Sequence, residues 1–247
     1  MRQLLVINPN TSQPVSALLQ RHVQAEAGPG VEVRTVTARF GASYIADEAG
    51  YAVAGHATLD AWATALARPG CCPDAVLIGC FGDPGLMALR ESSPVPATGL
   101  AEASFADASS HGRFAIVTGG ARWAPMLQRL AQALGQAQAL TGIHTVAPNG
   151  AELAADVDAA LVLVKNACLH AADHGGAQAV IIGGAGLAGM ASAIQPGLNV
   201  PLIDSVAAGA RWALRAHPPP PQRQLAGFDV SWQNVSEEMA ALGTGRR

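Results

Sequence analysis

The feature that most constrains the fold is a repeated junction in which an apolar run ends in a glycine bend. Val76-Leu77-Ile78-Gly79-Cys80-Phe81-Gly82-Asp83-Pro84-Gly85-Leu86 and Val180-Ile181-Ile182-Gly183-Gly184-Ala185-Gly186-Leu187-Ala188-Gly189-Met190 share one design. Gly79 lies over Gly183, Gly82 over Gly186, Gly85 over Gly189 and Leu86 over Met190. At the bend itself Cys80 meets Gly184. Two more pieces repeat in the same order. The run Leu4 to Ile7 with its polar turn Asn8-Pro9-Asn10-Thr11-Ser12 answers Phe114 to Val117 with Thr118-Gly119-Gly120. The short strand Val95-Pro96-Ala97-Thr98 leading into Gly99-Leu100 answers a second such strand and helix start at Val200-Pro201-Leu202-Ile203-Asp204-Ser205. Three pieces in register argue for two similar halves facing one pocket, with a thiol from one half only.

The apolar runs Leu4 to Ile7, Ala75 to Ile78, Phe114 to Val117 and Ala179 to Ile182 read as strands buried on both faces. Helical patterns lie between them. Thr11 or Ser12 caps a first helix with Pro14 in its first turn, and Gly28-Pro29-Gly30 ends it. Val31 to Val36 alternates like a strand. Residues 38–52 read as a loop carrying Asp47 and Glu48, placed either to close over a cleft or simply in solvent; a helix follows from about His56 to Leu66. Asp83-Pro84 reads as an N-cap with proline at the first helical position. In the second half a helix is expected from about Glu152 to His174, and beyond Pro218 to Pro221 a polar, weakly structured tail with a short helix near 236–242. Strands alternating with helices imply parallel sheets wrapped by helices, with ligands beyond the carboxyl ends of the strands. The bends at Asn10, Cys80, Thr118 and Gly184 all lie at those ends.

Composition narrows the function. Half of the 247 residues are hydrophobic and 13% are charged, which fits a well-cored globular chain and excludes disorder. The net charge of -3, without a basic stripe, argues against nucleic acid as a partner. No apolar run approaches the roughly 20 residues that span a bilayer. The start reads as a strand rather than a signal peptide, and four cysteines without a secreted disulfide pattern point to a reducing cytoplasm.

Cys80 is the candidate reactive group. Most free cysteines are small buried hydrophobes, and Cys71, Cys72 and Cys168 fit that description. Cys80, by contrast, follows a strand, precedes a helix start and sits among glycines, where a helix N-terminus would lower its pKa toward the thiolate. The glycines suit a small anion or polar ring held by backbone N–H groups; no G-x-G-x-x-G or Walker pattern supports a nucleotide. His170 and His174 have metal spacing but no H-E-x-x-H pattern, so they read as a solvated helix face. Ser12, Thr118 and Ser205 lack a nucleophile elbow. Asp83 reads as a cap before it reads as an acid or base.

At Ile7-Asn8-Pro9-Asn10-Thr11-Ser12, Gly79-Cys80-Phe81-Gly82-Asp83-Pro84-Gly85-Leu86, Gly99-Leu100-Ala101-Glu102-Ala103 and Ile182-Gly183-Gly184-Ala185-Gly186-Leu187 the chain resembles the Asp/Glu/hydantoin racemase superfamily, most of all its hydantoin and allantoin racemases. The resemblance runs over about residues 3–212. It implies two Rossmann-like α/β domains related by a pseudo-twofold axis, 1–98 with 206–247 and 99–205, and a site in the cleft between them. It implies cofactor-independent, metal-free racemisation of a small molecule by two cysteines on opposite faces of the substrate carbon, in a homo-oligomer. Cys80 matches the first cysteine, and Asn10, Ser12, Phe81, Thr118, Gly119 and Ala185 match positions around the substrate. The second cysteine falls at Gly184, which carries no proton. That departure leaves three readings open: a racemase with impaired or one-sided activity, a single-cysteine decarboxylase or lyase, and a protein that only binds ligand.

Overall fold

The structure, a computed structural model, describes residues 1–147, 152–153, 156–215 and 230–244. Two four-stranded, all-parallel sheets form the frame. The first half contributes β1 (Arg2–Asn8), α1 (Gln13–Ala27), β2 (Val31–Thr37), α2 (Glu48–Leu66), β3 (Ala75–Ile78), α3 (Leu86–Ser92) and β4 (Ala97–Gly99). After α4 (Leu100–Ser109) come β5 (Phe114–Gly119), α5 (Trp123–Ala133), β6 (Leu140–Val146), α6 (Val157–Gly175), β7 (Ala179–Gly183), α7 (Met190–Ile194) and β8 (Leu202–Asp204). The chain returns through α8 (Ser205–Arg215), and α9 (Glu237–Thr244) packs on α2. Strand order is β2-β1-β3-β4 in one sheet and β6-β5-β7-β8 in the other. These are the same topology written twice, so the repeat in the sequence is a repeat of architecture.

The continuous apolar runs have the cause expected of buried parallel strands. In β5 and β7, Phe114, Ile116, Ala179 and Ile181 face the main core, while Ala115, Val117, Val180 and Ile182 face a second cluster under α6 with Val164 and Cys168. The main core is continuous between the sheets: Leu77, Leu100, Phe105, Phe114 and Ile203 belong to it together. Phe81 meets Phe105 edge-on and Phe105 meets Phe114 at a tilt, at centroid distances of 6.1 and 5.6 Å. Helices α4 and α8 cross between the sheets and pack on each other. Gly209 permits the approach, since a Cβ there would lie 2.7 Å from Leu100 Cδ2.

Three sequence expectations are corrected. The loop 38–52 is shorter, because Asp47 accepts a hydrogen bond from Gly50 N at 2.9 Å and starts α2 at Glu48. Asp83-Pro84 does not open α3, which begins at Leu86 behind a left-handed Gly85. The strand expected from Val200 forms only over Leu202–Asp204. Parts of the expected helix from Glu152 (residues 154–155) and of the tail (216–229 and 245–247) lie outside the described residues. Among the described residues no helix is long and apolar enough to cross a membrane.

Candidate active site

The two bends face each other across one pocket. Cys80, Phe81, Asn10, Thr118, Gly119, Gly184 and Ala185 all line it. Ser12 is not in the lining; its hydroxyl caps α1, accepting from Val15 N at 3.5 Å. The cavity between the bends is small, about 60 Å³.

Each bend is built by close approach. Gly79 N donates to Ile7 O at 2.8 Å, and a Cβ on Gly79 would meet Leu19 Cδ1 at 2.6 Å. The carbonyl of Cys80 then accepts from Gly82 N at 3.0 Å and Asp83 N at 3.1 Å, a tight turn that leaves the thiol facing the pocket. Gly82 leaves room for Trp123 of the other half, whose ring would be 2.5 Å from a Cβ there. Across the pocket, the Phe81 ring lies on Gly183, where a Cβ would be 2.2 Å away. Gly184 is different in kind. Its φ of +137° suits glycine alone, but around it there is space: a Cβ would touch only Leu187, at 3.8 Å. Its N–H donates to Ser205 Oγ at 3.1 Å.

The electrostatics of Cys80 reverse the sequence expectation. Burial, and then the carboxylate of Asp83, push the thiol well above the usual cysteine range, so its resting form is the thiol. The helix start expected to activate it does not form at Asp83-Pro84 but at Leu86. Asp83, with φ +53° and 2% exposure, sends its carboxylate to Ala101 N (2.9 Å) and Glu102 N (2.7 Å), capping α4 instead of its own helix. Burial raises Asp83 to about 7 although those two N–H bonds pull the other way.

Asn10 is held as a donor. Its Oδ1 accepts from Asn8 Nδ2 and from Ser12 N, both at 2.9 Å, which leaves its amide NH₂ for a bound acceptor. Thr118 Oγ1 donates to Gly183 O at 2.7 Å and ties the ends of β5 and β7 together. The rest of the lining is largely apolar, including Val15, Ile45, Trp123 and Leu187. No Asp, Glu, Lys, Arg or His is among the described residues that line it.

Sequence reasoning did not single out Tyr44 and Ile45, which reach the pocket from the segment between β2 and α2. Tyr44 Oη donates to Gly119 O at 3.4 Å. Asp47 and Glu48, at the end of that segment, pair with Arg122 (3.3 Å) and Arg129 (2.9 Å) around α5 of the other half. The available signal was compositional: Tyr44 is one of only two tyrosines in the chain. His170 stacks edge-on against His144 at 5.4 Å, and the side chain of His174 lies outside the described residues. Among the described residues no cluster of His, Cys, Asp or Glu is placed to hold a metal ion.

Comparison with known proteins gives the family and the fold. Residues 4–213 match the family model described as Asp/Glu/Hydantoin racemase. The chain is 29% identical over 222 residues to hydantoin racemase of Pseudomonas sp. (strain NS671), covering 85% of this chain and 84% of that protein. It is 32% identical over 215 residues to hydantoin racemase of Paenarthrobacter aurescens, covering 85% and 89%. The solved allantoin racemase from Klebsiella pneumoniae superposes with a TM-score of 0.86 at 29% identity, over 98% of this chain and 99% of that one.

Proposed function

The chain belongs to the Asp/Glu/hydantoin racemase family, and from that premise we propose that it racemises a small, neutral ring of the hydantoin or allantoin type by proton transfer at the ring carbon, with Cys80 as one acid/base. The observation that carries the substrate class is the lining: one thiol, one amide donor, the hydroxyls of Tyr44 and Thr118 and otherwise apolar walls, with no charged side chain. A free amino acid or a malonate-type acid brings a charge into such a pocket, where desolvation costs several kcal/mol unless it is paired. An uncharged cyclic amide brings none.

The chemistry follows from the substrate. The ring C–H lies beside a carbonyl, so losing the proton places charge on that carbonyl oxygen. The Asn10 amide, its orientation held by Asn8 and Ser12, is the donor for that charge, and a donor so placed contributes on the order of 3 kcal/mol. Cys80 rests as a thiol, so it gives a proton directly and takes one only after losing its own. Proton NMR in heavy water, with each enantiomer of allantoin and of a 5-substituted hydantoin, tests the reading. The wild type is expected to wash out the ring proton and lose optical rotation. Cys80→Ala is expected to lose racemisation and the washout of the enantiomer whose C–H faces the thiol. Undiminished washout of both enantiomers in Cys80→Ala overturns it.

A second reading rests on Gly184: a lone resting thiol is also suited to protonate one face of a carbanion left by loss of carboxylate. Carbon dioxide release from a malonate-type acid would favour that reading. Ligand-dependent thermal stabilisation with neither exchange nor carbon dioxide release would leave a binding protein.

A further inference from the structure

Racemisation needs a proton-transfer group on each face of the substrate carbon, and the bend opposite Cys80 carries no side chain at position 184. The protic groups on that side can be sorted by what they already do. Thr118 Oγ1 commits its hydrogen to Gly183 O at 2.7 Å. Ser205, 1% exposed, holds Gly184 N and is not in the pocket lining. Tyr44 does line the pocket, and its hydroxyl lies 3.4 Å from Gly119 O. Thr118 pairs in register with Gly183, so Gly119 and Gly184 each follow a paired residue of neighbouring strands, whose axes lie about 4.8 Å apart. The Tyr44 hydroxyl is therefore at the lip of the second sheet, on the Gly184 side. Its bond to Gly119 O is long for an O–H donor, hence weaker than that of Thr118 to Gly183 O. Ile45, next in sequence and buried, and Trp123 wall off the same region.

Building on the racemase reading, we propose that Tyr44 is the second proton-transfer residue, acting on the face opposite Cys80 where a side chain at position 184 is lacking. In one direction the resting Cys80 thiol first gives its proton to bulk water; the thiolate then takes the ring proton, and the C–H electron pair moves into the carbonyl as an enolate. The Tyr44 O–H gives its proton to the opposite face, and the enolate pair forms the new C–H bond. The products are the inverted ring, a Cys80 thiol and a Tyr44 phenolate. The reverse direction starts from that pair, or bulk water moves one proton from sulfur to oxygen and resets the site. The active form thus shares one proton between the two groups.

Tyr44→Phe keeps the ring and its packing and removes only the hydroxyl. The experiment compares wild type, Tyr44→Phe and Cys80→Ala by proton NMR in heavy water and by polarimetry, using both enantiomers of allantoin and a 5-substituted hydantoin. The expected result is that Tyr44→Phe loses racemisation at least 100-fold. It should keep washout in the enantiomer facing Cys80 and lose it in the other, with KM little changed; Cys80→Ala shows the mirror pattern. Equal loss in both enantiomers carried by KM would make Tyr44 a wall of the pocket and overturn the proposal. Unchanged racemisation in Tyr44→Phe overturns the proposal and leaves the racemase reading standing. A wild type with no washout in either enantiomer removes both.

Discussion

The two bends do the same structural job with their carboxylates exchanged. In the first half the carboxylate is on the bend: Asp83 reaches across to cap α4, and Gly99 at the strand end leaves the space it fills. In the second half the carboxylate is at the strand end: Asp204 accepts from Val206 N (2.9 Å), Ala207 N (3.1 Å) and Gly189 N of the bend (2.6 Å). Position 99 corresponds to 204, and 83 to Leu187. Each crossing helix has a negative group at its start, and the fold accepts it from the bend or from the strand end. The choice has a chemical consequence. In the first half it places a buried carboxylate beside Cys80, and burial together with that charge holds the thiol protonated.

The largest test of this comparison is Gly99→Asp. A Cβ at 99 would lie 2.1 Å from Asp83 Cγ, so two carboxylates would compete for one buried site at a cost of about 3 kcal/mol or more. Adding Asp83→Leu gives the first half the arrangement of the second and is expected to restore most of the loss in urea unfolding. A double variant no more stable than Gly99→Asp alone breaks the exchange argument.

Next is the pH dependence of stability. The buried Asp83 carboxyl keeps its proton up to about 7, while in the unfolded chain it loses it near 3.8. Between those values the native state binds more protons, so this group's contribution to stability is full at low pH and is lost as pH rises through about 7. The slope is up to about 1.4 kcal/mol per pH unit. Asp83→Asn should flatten the stability profile across that window; an unchanged profile means that the carboxyl is ionised throughout.

A smaller effect is expected at the other bend. Gly184→Cys meets open space but must leave a φ of +137°, costing about 1–2 kcal/mol and a few degrees in Tm. A stability equal to wild type would show that the bend relaxes to an ordinary backbone conformation without loss. The smallest effect concerns the contacts between halves. Glu48→Gln removes an exposed ion pair with Arg129, and its influence on KM should fade as salt is raised, because exposed pairs are screened. A salt-independent change in KM would argue that the pair acts by shape rather than charge.

Much of the fold was legible because its determinants are local. Continuous runs of Val, Ile and Leu specify strands buried on both faces, and glycine bends in register announce two copies of one topology. Asn10, Cys80, Thr118 and Gly184 could be assigned to one pocket from strand order alone, since parallel strands carry their carboxyl ends to one edge. Ser12 is decided locally too: it sits on the turn that carries Asn10, but its hydroxyl is used by the helix that follows.

What the sequence by itself determined was therefore the architecture, the repeat and the position of the one thiol at the bends. Only the tertiary structure decided the state of that thiol and its company. Asp83 caps a helix that begins 17 residues after it, and Tyr44 meets Gly119 across 75 residues of chain. Burial and Coulomb interactions depend on distance in space, and no periodicity or spacing in the chain encodes distances between residues so far apart in sequence.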